Sequence, residues 1–239
     1  MAVGSKTFPQ ELPQNSEITR AKPNSGSTSH TAFGINPAAQ IAIAYTLLLI
    51  SLWTSLASHR LWMIFCGAIL LILTLVSSYS GRELGLANPS SRGWFRILLI
   101  GLGAAAAIVL TAVLWGEKLP ANSNWPPPRD LWQYAIWAMV QQFILQSFFY
   151  VRLETLLGAR SAVIAGALLF AAAHLPSPIL TLGTLLAGIF FCEMFRRYRS
   201  IYPLGIVHAA LGLALAETIP DHWLHHMRVG IGYLHFHLR

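Results

Sequence analysis

Between residues 40 and 218 the chain is a succession of apolar runs, each ended by a short polar break. This pattern constrains the fold more than any other feature. A segment immersed in hydrocarbon must satisfy its own backbone N–H and C=O groups, and a helix is the form in which one segment does so alone. A spanning helix needs about 20 apolar residues. The runs predict spans at Gln40–Ala57, Leu61–Tyr79, Trp94–Trp115, Leu131–Val151, Ser161–His174, Ile179–Phe195 and Ile201–Thr218. The fifth and sixth are short and are divided by His174-Leu175-Pro176-Ser177-Pro178, where the prolines stop one helix and start the next. Composition agrees. Only 10% of the 239 residues are charged and 55% are hydrophobic, whereas a soluble domain carries about 25% charge to cover its surface.

The expected fold is therefore all-α: a polytopic integral membrane bundle of seven helices. An eighth would arise if the segment His222–Leu238 entered the bilayer, but its five histidines argue for an interfacial or aqueous position. Four regions are expected: a flexible tail over 1–39, N-terminal transmembrane helices over 40–128, a core transmembrane unit over 129–218, and a histidine-rich segment over 219–239. The tail is rich in Ser, Pro, Asn, Thr and Lys and too poor in large apolar residues to offset the entropy of ordering. No secretory signal stands within the first 30 residues.

The net charge is +7. Arg60, Lys118, Arg129, Arg228 and Arg239 fall on one side of the predicted topology, and the other eleven of the sixteen Lys and Arg fall opposite. Positive-inside logic then puts the N-terminus in the cytoplasm, with a bacterial inner membrane as the simplest home. No basic face with interleaved aromatics appears, so nucleic acid is not an expected partner. Cys66 and Cys192 each lie inside an apolar run and read as packed thiols with no metal or disulfide pattern.

Polar side chains within a span usually face the bundle interior or a wet cavity. The fourth run holds Gln141, Gln142 and Gln146; Gln142 and Gln146 share a helix face, and Gln141 lies about 100° round from Gln142. The fifth run ends Phe170-Ala-Ala-Ala-His174, and the seventh holds His208. Any one of these can simply hydrogen-bond a neighbouring helix. Together, on three runs, they point to a shared polar cavity. Glu193, three and four residues before Arg196 and Arg197, reads as an interfacial ion pair.

These residues resemble the motifs of the CAAX-protease/bacteriocin-processing (CPBP) family of intramembrane glutamic proteases. That family carries Glu-Glu-x-x-x-Arg, then Phe-x-x-x-His, then His-x-x-x-Asn on consecutive core helices. Here the corresponding stretches are Gln141-Gln142-Phe-Ile-Leu-Gln146, Phe170-Ala-Ala-Ala-His174 and His208-Ala-Ala-Leu-Gly212. The flanks Phe148-Phe149-Tyr150-Val151-Arg152-Leu153-Glu154 and Tyr202-Pro203-Leu204-Gly205-Ile206-Val207 also look like the family's. The similarity covers about Leu131 to Leu215. In active members, the resemblance implies, the first motif glutamate, at the place of Gln141, helped by the second-motif histidine, activates a water, while the third-motif histidine and asparagine stabilise the oxyanion.

At the implied catalytic positions Gln141, Gln142, Gln146, His174, His208 and Gly212, only the two histidines match the family. A primary amide is no base near neutral pH. Gln146 in place of arginine is coherent with that loss, since a buried cation without its acid is expensive. The resemblance therefore implies a degenerate, non-proteolytic member that binds or escorts a membrane protein or peptide. Two other readings stay open: an endopeptidase working through His174 and His208, and a repurposed enzyme or carrier for a lipid or isoprenoid. No cofactor is implied. His222 and His226, one helical turn apart, are weak zinc candidates whose plainer reading is an interfacial segment, and the histidine-rich end is expected to cap the cavity.

Overall fold

The computed structural model describes residues 34–54, 56–87, 91–115 and 128–237. The predicted tail lies outside them except for its last six residues. All elements of the described residues are helical: α1 (Pro37–Trp53), α2 (Leu56–Leu75), α3 (Ser91–Leu114), α4 (Pro128–Gln142), a π-helical stretch (Phe143–Tyr150), α5 (Val151–Leu157), α6 (Ala159–Ala172), α7 (Pro178–Tyr198), α8 (Tyr202–Thr218), α9 (Asp221–Leu224), a short 3₁₀ turn and α10 (Ile231–His237).

Local chemistry sets several boundaries. Asn36 caps α1, its Oδ1 accepting the Ala39 N–H at 2.8 Å, and Pro37 stands where a missing N–H costs nothing. Pro178 opens α7 in the same way. Gly158, at φ +79, separates α5 from α6. A helix thus stands at each of the seven predicted places. The largest difference is in the fourth, which runs on unbroken from Pro128 to Leu157 through the π stretch.

Two helices, Ser91–Leu114 and Pro178–Tyr198, are long and apolar enough to cross a bilayer by themselves, and three shorter apolar helices accompany them. Only 17% of the most apolar window of α3 is buried inside the protein. A core helix of a soluble protein would be enclosed; α3 instead turns Phe95, Leu99, Leu102 and Leu110 outward, which lipid tolerates and water does not. By length, composition and exposure, α3 is suited to a lipid surround.

The π stretch runs through the middle of the bundle. Leu145, Gln146, Ser147, Phe148, Phe149 and Tyr150 are consecutive and all buried, as a segment touched from every side must be. α6 and α7 form an antiparallel hairpin against it, and α8 packs between α3 and α4. Gly101 makes the α3–α8 approach feasible: a Cβ there would stand 2.2 Å from a Val207 methyl. With no hydrophobic drive between helices in lipid, such backbone proximity supplies the packing.

Arg152 joins this core to the N-terminal helices. It is fully buried. Its Nε donates to Gln40 Oε1 at 2.8 Å, and its two terminal nitrogens donate to the Phe148 carbonyl at 3.0 Å and the Leu73 carbonyl at 3.1 Å. The guanidinium carbon lies 3.8 Å from the Phe148 ring centroid. One side chain thereby ties α1, α2 and the central helix. Replacing Arg152 by alanine strands the Gln40 and Leu73 oxygens in the interior. The expected loss is on the order of 3 kcal/mol in denaturant unfolding of the detergent-solubilised protein, and Arg152→Lys should restore only part of it, because a point charge cannot reach three acceptors at once. An alanine variant as stable as the natural chain would contradict this role.

Candidate functional site

Gln142 is the last residue of α4 and projects toward α8. Its amide nitrogen lies 3.1 Å from His208 Nδ1, and its Oε1 accepts from Gln146 Nε2 at 3.3 Å. Gln142 and Gln146 are both fully buried. An amide nitrogen can only donate, so His208 Nδ1 must accept. With the Gln142 amide so oriented, the ring proton of His208 sits on Nε2. Gln146 Oε1 is left without a hydrogen-bond partner among the described residues.

His174 follows α6 by two residues. Its Nδ1 lies 2.7 Å from the Phe170 carbonyl oxygen. A carbonyl only accepts, so here Nδ1 carries the proton and Nε2 keeps a lone pair. The two imidazoles thus hold opposite tautomers. Both rest against the Phe170 ring, with centroids 4.9 Å and 5.7 Å away. His208 also lies 5.3 Å from Phe191.

A cavity of about 270 Å³ opens beside them, between α1, α2, α4, α6, α7 and α8. Gln141, His174, His208 and Gly212 line it, so side chains from the three predicted motifs meet at one place. Gln142 and Gln146 do not line it and stand behind His208 as its support. The remaining wall is mainly apolar, with Tyr45, Leu48, Met63, Trp137, Phe149 and Leu215. Among the described residues, no carboxylate, lysine or arginine lines it.

Gly212 carries a second finding. A Cβ on it would stand 1.8 Å from the Tyr134 hydroxyl oxygen and 2.8 Å from Cζ. The phenol fills the space that a residue-212 side chain would need, and Tyr134 lines the cavity. Sequence reasoning passed over Tyr134. The available signal was its position seven residues before Gln141, two turns along the same face, with Trp137 between.

The C-terminal segment adds to the same cavity. Met227 and Val229 line it, and the Gly230 N–H donates to the Leu175 carbonyl at 2.9 Å, next to His174. His225, His226 and Met227 all take positive φ, which turns the chain back over the bundle. His225 is buried against Tyr233. His226 pairs with Asp221 at 2.6 Å and His222 lies beside Trp223. Among the described residues no three His, Cys, Asp or Glu converge as metal ligands. Glu193 makes its expected ion pairs with Arg196, at 2.7 Å, and Arg197. Cys66 and Cys192 are both buried and free.

The amide-donor geometry has a spectroscopic consequence. In ¹⁵N spectra of labelled protein, the His208 ring should show a protonated Nε2 and a bare Nδ1. In Gln142→Glu an ionised carboxylate can only accept, so the ring proton should move to Nδ1. A protonated Nδ1 in the natural chain would refute the arrangement.

Residues 125–214 match the family model described as type II CAAX prenyl endopeptidase, Rce1-like, and this bears out the resemblance read from the three motifs. No curated protein and no solved structure matches the chain.

Proposed function

We propose, from the premise that the core at 125–214 is of the Rce1-like CAAX prenyl endopeptidase family, that this chain is a non-proteolytic member. In this reading it receives an apolar segment of a membrane protein, or a lipid-linked peptide, in its cavity and escorts it. The observation that carries this is that amides stand at both motif glutamate positions: Gln141, at the position implied for the general base, lines the cavity, and Gln142 behind it is bonded to His208 Nδ1. A primary amide takes no proton near neutral pH, so neither can act as that base. Loss of a general base typically costs about 100-fold in rate or more, and loss of an oxyanion donor costs a similar factor. The apolar cavity wall keeps what binding needs: an enclosed surface with a few polar groups at one place.

The chain is taken to be a seven-helix bundle with its N-terminus in the cytoplasm, and a bacterial inner membrane remains the simplest location. The charge asymmetry of the loops supports this orientation also when Arg152, which is buried in the bundle and is no loop cation, is left out of the count.

One observation favours a second reading. His174 Nε2 keeps a lone pair beside the cavity. An endopeptidase with His174 as base and His208 as donor would use both. The lipid or isoprenoid reading draws on the same apolar wall, and lipid co-purifying with the extracted protein, read by mass spectrometry, would favour it.

Restoration separates these readings. The family residues return in Gln141→Glu, Gln142→Glu, Gln146→Arg and Gly212→Asn, with Tyr134→Ala added because the phenol blocks residue 212. Cleavage of a prenylated CAAX peptide should appear in this variant and be absent from the natural chain. If the natural chain cleaves, and His174→Ala or His208→Ala abolishes the cleavage, the non-proteolytic reading is wrong.

A further inference from the structure

The cavity holds polar groups whose bonding capacity the protein itself does not use. The Tyr134 hydroxyl lines it and has no hydrogen-bond partner among the described residues. His208 Nε2–H is the free donor left by the Gln142 bond, and His174 Nε2 is the free acceptor left by the Phe170 bond. His208 and Gly212 are four apart on α8, so the imidazole and the phenol lying on Gly212 occupy one wall, a helical turn from each other. Buried polar groups are expected to find partners. Here the partners must come from what enters the cavity.

We propose that the Tyr134 hydroxyl replaces a residue-212 side chain as a ligand-binding donor, and that with His208 Nε2–H it holds the carbonyl oxygen of an amide borne on an apolar chain. His174 Nε2 then accepts the N–H of the same amide. The inference rests on the cavity-binding reading above and gives that ligand its polar chemistry. Neutral groups suit a neutral ligand. Among the described residues no Lys or Arg lines the cavity to hold a carboxylate or phosphate, and no acid lines it to hold an amine. An amide satisfies both the donors and the acceptor. An ester satisfies only the donors, and an alkane satisfies neither. The same chemistry is offered by a peptide segment and by a fatty amide.

The full-length protein in detergent is labelled with a palmitamide carrying a diazirine in its chain, and the labelled peptides are mapped. Unlabelled palmitamide, methyl palmitate and hexadecane then compete. For the natural chain the competitors should rank in that order, with hexadecane about tenfold weaker than palmitamide, the factor expected for one or two net hydrogen bonds. Tyr134→Phe should weaken palmitamide and methyl palmitate by about three- to tenfold and leave hexadecane unchanged. Gly212→Ala, whose methyl evicts the hydroxyl, should do the same from the opposite side of the contact. Acetyl-trileucine amide outcompeting palmitamide would assign the amide to a peptide, and the reverse to an acyl lipid; either supports the proposal.

Labelling of cavity peptides with no preference among the three competitors overturns the role of Tyr134 and leaves the cavity-binding reading standing. An equal loss for all three in Tyr134→Phe overturns it too, since that is the signature of packing. Absence of label from every cavity peptide overturns both readings together.

Discussion

Hydrocarbon offers no hydrogen bonds, so a polar side chain drawn inside this bundle is best satisfied by another part of the protein. That constraint organises the interior. Arg152 meets it with an amide and two carbonyls from three separate segments, and Gln40, which accepts from it, donates onward to the Ile35 carbonyl at 2.8 Å. Ser147 meets it by donating to the Leu84 carbonyl at 2.6 Å. The bonds from Arg152 to Gln40 and Leu73 and from Ser147 to Leu84 run between distant parts of the sequence, so they fix which segments neighbour one another as well as satisfying themselves. Side-chain packing in lipid gives little discrimination between apolar surfaces, and the polar bonds supply it.

The motif positions obey the same constraint with uncharged groups. Gln146 donates to Gln142 and Gln142 donates to His208, a line of amides ending on an imidazole. A carboxylate and a guanidinium in place of the two amides would form a line of similar length with larger desolvation costs and a base at one end. The amide version holds His208 in a defined tautomer and gives up proton abstraction. What is retained is orientation. That is the requirement of a site that binds, and it is only half of the requirement of a site that hydrolyses.

Much of this was legible in the chain. The apolar runs located the helices, because lipid demands continuous apolar stretches and the prolines at 37, 178 and 203 mark helix starts. The convergence of Gln141, His174 and His208 was legible because each is costly facing lipid. The division of labour among the glutamines was not. Helical spacing put Gln142 and Gln146 on one face, but which glutamine looks into the cavity depends on how α4 sits on α8. The π stretch was hidden as well, since no residue from Phe143 to Tyr150 breaks a helix; the enclosure of those side chains by neighbouring helices is a tertiary property. Tyr134 was invisible for a related reason. Its meaning lies in the contact with Gly212, 78 positions away, and no periodicity reports a contact between two helices. The left-handed turn at His225–Met227 runs against local preference and is held by its surroundings.

The substitutions at the motif positions are coupled, which bears on how such a site can change. A carboxylate at 142 alone would sit buried beside a neutral amide at 146, with no cation to offset its desolvation. A guanidinium at 146 alone would be a buried cation with no acid. A side chain at 212 alone would collide with the Tyr134 phenol. Each single step away from the present set therefore costs stability before it can yield any chemistry. The present residues form a neutral arrangement in which the phenol fills the space beside Gly212 and the Gln142 amide engages His208, while Gln146 Oε1 is left without a partner among the described residues.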